Sequence, residues 1–248
     1  VFRGAKNVET FEIELIDGIN NLKAVASSKK EVESDPVTLQ IKFDGEAAKV
    51  DLYILTVGIN KYKNSKYDLS FAVDDAKDFT KTIEKGAGTL FNQIHTYALE
   101  DHKATKAEIK TLFETLKQNV GPEDVFVFYY AGHGLMSVPP EDQASDFYIV
   151  THNITNFYDQ DVLEKEGLSA TELMEFSKQV AAQKQLFILD ACHSGGALNA
   201  LATRGADTRE KAIAQLARNT GTFFLTASQD AEYANESGDL KHGLFTYA

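Results

Sequence analysis

The 248 residues contain one cysteine, Cys192, in the run LFILDACHSGG (residues 186–196). A structural cysteine would sit inside an apolar strand as a small hydrophobe. This one follows the strand, among polar residues and glycines. A thiolate placed there is a nucleophile, and it needs a base that takes its proton and later returns it to a leaving amine. His133, in YYAGHG (residues 129–134) and 59 residues upstream, ends another apolar run and is the candidate base. The flanking Gly132 and Gly134 let backbone approach a ligand closely. His193 is the rival base, although side chains of adjacent residues point apart. The backbone amides of Gly134 and Cys192, each closing a strand-to-loop turn, are the candidate oxyanion donors. Gly195 and Gly196 let the chain fold back beneath the nucleophile.

Asp190 stands two residues before Cys192, so both side chains share one side if the strand stays extended. A bare carboxylate beside a thiol would raise the thiol's pKa, unless a cation lies between them and the solvent. A substrate Arg or Lys supplies that cation. Asp75, at a helix start in VDDAKDF (residues 73–79), is the candidate second acid, since two carboxylates suit a guanidinium fork. Asp74 is the alternative by one position, and Asp230 is a weaker third. A strand-end cap for Asp190 and a dipole-favoured acid for Asp75 are the bland readings of the same residues.

Elements must bring these residues together. LYILTVGI (52–59), VFVFYYA (125–131) and QLFILDA (185–191) are continuous apolar runs, as expected of strands covered on both faces. QIHTYAL (93–99), DFYIV (146–150) and GTFFLTAS (221–228) read as further strands. Helical spacing occupies residues 72–84, 106–120, 169–181 and 207–219. Strand–helix alternation predicts an α/β fold, a mostly parallel β-sheet flanked by helices on both faces. Ligands bind such sheets at the carboxyl ends of the strands, where His133, Cys192 and the Asp75 helix would meet.

Residues 10–43 differ. TFEIELIDG, INNLKAVAS and VTLQIKF alternate apolar and polar side chains, the pattern of short half-buried strands. Residues 1–48 therefore read as the C-terminal part of an Ig-like β-sandwich module plus a linker, and 51–248 as a second domain truncated at its C-terminus. The chain reads as a piece of a longer protein whose remaining domains are its first partners.

A net charge of −12 argues against a nucleic-acid partner. No apolar run approaches the roughly 20 residues that cross a bilayer, so no membrane partner is expected. One thiol excludes an intrachain disulfide and a thiolate zinc cluster, and fits a reducing, cytoplasmic setting. Nothing in the sequence requires a metal or cofactor, and nothing fixes the oligomeric state.

YYAGHG and LDACHSGG, in this order, resemble the caspase-like cysteine peptidases, most closely the prokaryotic metacaspases or orthocaspases. The resemblance covers residues 51–248 and extends to GINKYK (58–63), AVDDAKDF (72–79) and the final segment from Thr226. It implies a caspase-like fold, a dyad of His133 and Cys192, and endopeptidase cleavage after Arg or Lys in protein or peptide substrates, through Asp75 and Asp190. Some such relatives need calcium as an activator, and many are zymogens that process themselves. PPEDQASD (139–146) is an acidic loop with no clear calcium pattern. Relatives often carry serine two residues before the histidine, where this chain has Ala131. Beside the proposed site, Arg204 in GALNALATRGADTREK (196–211) is the expected self-cleavage point, with Arg209 second. The alternative to a peptidase is a catalytically silent caspase-fold scaffold within a signalling protein. A thiol esterase is less consistent with the residues, because the Gly-x-Ser/Cys-x-Gly elbow is missing.

Overall fold

The computed structural model describes residues 10–13, 15, 17–26, 34–45, 49–138, 146–191, 222–226, 236–237 and 242–243. Its contacts divide the chain into two units, Val1–Ala48 and Lys49–Ala248.

In the first unit, β1 (Gly18–Ala24) and β2 (Val37–Phe43) form an antiparallel hairpin that pairs Leu22 with Leu39 and Ala24 with Val37. Gly18 opens β1 at φ +94, a conformation that favours glycine. The strand expected over TFEIELIDG is not found: none of the described residues among 10–17 is extended in a ladder. Phe11 and Ile13 are 74% and 56% exposed. Period-two patterning makes a strand only where a neighbour supplies the backbone partners, and none of the described residues does so here.

The second unit is built on a five-stranded parallel sheet in the order β10-β9-β5-β3-β4. In chain order the elements are β3 (Leu52–Gly58), α1 (Ala72–Ala87), β4 (Ile94–Glu100), α2 (Lys106–Asn119), β5 (Val125–Ala131), β6 (Gly134–Met136), β7 (Phe147–Ile149), α3 (Gln160–Glu166), β8 (Leu168–Ser169), α4 (Ala170–Gln179), β9 (Lys184–Asp190), β10 (Thr222–Thr226), β11 (Glu236–Ser237) and β12 (His242–Gly243). β3 is buried at every residue, and β5 at every residue after Val125. Helices on both faces explain this. On one face Phe126, Phe128, Tyr130, Phe187 and Leu189 pack with Ile109, Phe113 and Leu116 of α2 and Leu173 and Phe176 of α4. On the other, Tyr129, Ala131 and Ile188 pack with Ala72 and Ala76 of α1.

The DFYIV strand is not in the main sheet. It is β7, the centre of a small antiparallel sheet β6-β7-β8. Two polar devices fix the periphery. Gln185, 3% exposed, donates to the carbonyls of Ser177, Val180 and Ala182 and accepts from the Ser177 hydroxyl, which closes the end of α4. At the start of the sheet, Asp51 accepts from Asn92 and Gln93 and lies 3.0 Å from His95 Nε2. These contacts, the His95 one first, hold the Asp51 carboxyl below the ordinary aspartate range.

Candidate active site

The site begins with register. β5 and β9 are adjacent and parallel, and Ala131 pairs with Asp190. The pairing runs one bond further: the Gly132 N–H donates to the Asp190 carbonyl at 3.2 Å. His133 follows Gly132 just past the end of β5. Cys192 is two residues on along the other chain and lies outside the described residues, as do His193, Gly195, Gly196, Arg204, Arg209 and Asp230.

His133 is held at three points. Its Nε2 lies 2.9 Å from the Tyr67 carbonyl oxygen, its N–H donates to the Tyr62 hydroxyl at 3.0 Å, and its carbonyl accepts from the Tyr130 hydroxyl at 2.7 Å. A carbonyl only accepts, so Nε2 carries the hydrogen, and the neutral ring's lone pair is on Nδ1. Phe157 meets the imidazole edge-on at a centroid distance of 5.1 Å and stacks on Tyr67 at 3.6 Å.

Tyr62 and Tyr67 lie in the segment between β3 and α1, and that segment is pinned from several sides. Asp101, at φ +48 just past β4, accepts the N–H groups of both Asn60 and Lys61 with one carboxylate oxygen, each at 2.8 Å. Asn60 Oδ1 accepts the Val73 N–H. Asp68 accepts the Tyr62 N–H and an ion pair from Lys61, and these contacts, the backbone one first, lower its pKa. His152 Nδ1 lies 2.6 Å from the Lys61 carbonyl, and Asn64 donates to Thr155 O. Sequence reasoning gave none of these residues a role. GINKYK carried the signal only as a likeness to a family.

Gly134 follows His133 into β6. Val150 N–H donates to the His133 carbonyl and Ser137 N–H to the Asp146 carbonyl. In an antiparallel ladder bonded positions alternate, so positions 133, 135 and 137 face β7 and the Gly134 N–H is directed away from it. That direction suits an oxyanion donor.

The two acids share the α1 face of the sheet. Asp190 alternates with Leu186 and Ile188, which pack there, and the Tyr129 hydroxyl lies 3.4 Å from its Oδ2. Asp75 is 3% exposed on α1, whereas Asp74 is exposed. Gly58 lets this helix start lie close: a β-carbon there would come 2.7 Å from the Ala72 carbonyl oxygen and 2.9 Å from the Val73 α-carbon. Ala131, at the position of the relatives' serine, is buried with Ala72, Ala76 and Tyr129. Both carboxylates are buried, Asp75 at 3% and Asp190 at 7% exposure.

Among the described residues no group of three His, Cys, Asp or Glu side chains converges to hold a metal ion. Asp146, the described end of the acidic loop, has its carboxylate engaged by the Phe147 N–H and the Thr171 hydroxyl. No helix among the described residues is long and apolar enough to cross a membrane.

A family model described as "Caspase domain" matches residues 52–248. A "probable protease" from a Desulfuromonadales bacterium is 28% identical over 156 residues, which cover 57% of this chain. The match spans only 18% of that relative's length. A crystal structure of protein GSU0716 from Geobacter sulfurreducens superposes with a TM-score of 0.54 over 79% of each chain, at 16% identity, a likeness of fold alone.

Proposed function

The chain belongs to the caspase-domain family, and from that premise we propose that it is a cysteine endopeptidase that cleaves after Arg or Lys. The observation that carries this is the Gly132–Asp190 bond, which ties the residue before His133 to the residue two before Cys192.

In this reading His133 Nδ1 takes the Cys192 proton, while Nε2–H on Tyr67 O fixes the ring and its tautomer. The thiolate attacks the carbonyl carbon of the scissile bond. The Gly134 and Cys192 amides receive the oxyanion. As the C–N bond breaks, His133 returns its proton to the leaving amine, and a thioester remains on Cys192. Water, deprotonated by His133, then releases the acid and regenerates the thiol. Asp75 and Asp190 take the basic side chain before the scissile bond. The carboxylate negative charge that would hinder thiolate formation is neutralised once that cation is bound. Self-cleavage after Arg204, with Arg209 second, belongs to the same proposal. Intact-mass analysis of wild type and Cys192→Ala tests it, and an uncut wild type or an equally cut variant rejects it.

The deciding assay is turnover of fluorogenic peptides with Arg, Lys, Asp or Ala before the bond, by wild type and Cys192→Ala, with and without calcium. Cleavage after Arg and Lys that the variant loses is expected. Cleavage after Asp would overturn the acidic pocket. An inert thiol with no cleavage of any peptide would favour the scaffold alternative.

A further inference from the structure

We propose that the hydroxyls of Tyr62 and Tyr130 are a positioning pair that sets the direction of the His133 main chain, and through it the imidazole. This rests on the reading of His133 as the base.

β6 continues from His133, whose partner across the small sheet is Val150. One bond of that pair is ordinary, the Val150 N–H to the His133 carbonyl at 3.0 Å. At a bonded antiparallel position the return bond would run from the His133 N–H to the Val150 carbonyl. Here the His133 N–H goes to the Tyr62 hydroxyl, and the Val150 carbonyl receives the Tyr130 hydroxyl at 3.0 Å. The Tyr130 hydroxyl hydrogen also reaches the His133 carbonyl. Two phenols from separate segments, one after β3 and one within β5, thus serve both peptide groups of a single residue.

The preceding glycine records the same arrangement. A β-carbon on Gly132 would lie 2.5 Å from the Tyr130 hydroxyl oxygen and 2.9 Å from that of Tyr62. The space a side chain would need is taken by these two oxygens. Tyr62 is 4% and Tyr130 0% exposed, so water does not compete for their bonds. The rings are core residues, and the core alone would accept Phe at either position; the hydroxyls are what bond His133 and Val150.

Removing the Tyr62 hydroxyl takes this acceptor from the His133 N–H, and the Val150 carbonyl is the acceptor an ordinary ladder would offer. Completing that ladder bond would draw the residue 133 main chain closer to β7 and Nε2 away from the Tyr67 carbonyl. Small displacements of a catalytic group cost large factors in rate, about 10²-fold for 1 Å.

The experiment uses the full chain carrying Tyr62→Phe or Tyr130→Phe, each read separately, with thermal unfolding as a check on folding. Imidazole ¹H–¹⁵N spectra in a Cys192→Ser background report the His133 tautomer and hydrogen bond without any need for activity. Loss or displacement of the His133 Nε2–H signal in Tyr62→Phe is expected. With an active enzyme, kcat should fall by about 10²-fold while KM stays within twofold. A His133 signal unchanged in both variants overturns the proposal whether or not the chain cleaves peptides. So does a displaced signal in an active enzyme whose kcat is kept. Where one variant does not fold, the other decides. Failure of the peptidase reading would instead appear as a wild type that cleaves nothing.

Discussion

His133 Nε2 lies 2.9 Å from the main-chain carbonyl oxygen of Tyr67. The bond comes from a segment 66 residues away, and it assigns the ring's hydrogen without an acidic third residue. A carbonyl oxygen does not titrate. The tautomer it selects is therefore held at every pH at which the imidazole is neutral.

Replacing Asp190 or Asp75 by Asn should lower kcat/KM for Arg peptides by about 10²- to 10³-fold, the roughly 3–4 kcal/mol lost when a desolvated cation loses a charged partner. Turnover of an Ala peptide, however slow, should change little. The ratio of the two specificity constants measures the effect, and an unchanged ratio would remove the acids from the specificity pocket.

Asp101 can be probed by two substitutions with different expected outcomes. Asn keeps an acceptor for the Asn60 and Lys61 amides and tolerates positive φ, so Asp101→Asn should cost under about 1 kcal/mol. Asp101→Ala loses both charge-assisted bonds and keeps the conformational penalty, which should cost about 3 kcal/mol. Urea unfolding of the two variants checks the contrast. Because the same segment carries Tyr62 and Tyr67, kcat should follow stability in the Ala variant.

Gln185→Leu preserves volume and leaves the carbonyls of Ser177, Val180 and Ala182 and the Ser177 hydroxyl without this partner. A loss of about 2–3 kcal/mol in unfolding free energy is expected, with kcat at 25 °C unchanged. An unchanged midpoint in urea would contradict the assignment of this side chain as the helix closure.

Asp51 predicts a pH dependence. Its folded pKa is lowered, first by the His95 contact, from the ordinary 3.8. A depressed carboxyl stabilises the fold at pH above its unfolded value and loses that contribution as pH falls through its folded one. The stability difference between wild type and Asp51→Asn should therefore be full near pH 6 and shrink as pH is taken to 3 and below. Chemical denaturation at a series of pH values measures it; a difference constant across the series would refute the linkage.

The strands that carry the site were legible because burial on both faces writes continuous apolar runs at 52–59, 125–131 and 185–191. Helices 72–87 and 106–119 were legible from their periodicity. The supports of His133 were not. A hydroxyl at Tyr62 or a carbonyl at Tyr67 that bonds a residue some 70 positions away leaves no period in the chain, and a carbonyl is common to every residue. The choice between Asp74 and Asp75 needed the helix's rotation about its axis, which places one in the interior and the other in solvent. Over TFEIELIDG the case differs, because none of the described residues among 10–17 joins a ladder. Its alternation is as clean as that of β2, yet a pattern does not create a partner.

The adjacency of β5 and β9 also bears on how the chain folds. These strands are neighbours in the sheet but separated in sequence by α3, α4 and the whole small sheet. Contacts between segments so distant form late and cooperatively, because the closure entropy must be met before the contact rewards it. Until β5 and β9 pair, the bond between the Gly132 N–H and the Asp190 carbonyl cannot form. In the proposed reading, folding itself would act as the latch on the thiol, and parting these two strands would disarm it without a dedicated inhibitor.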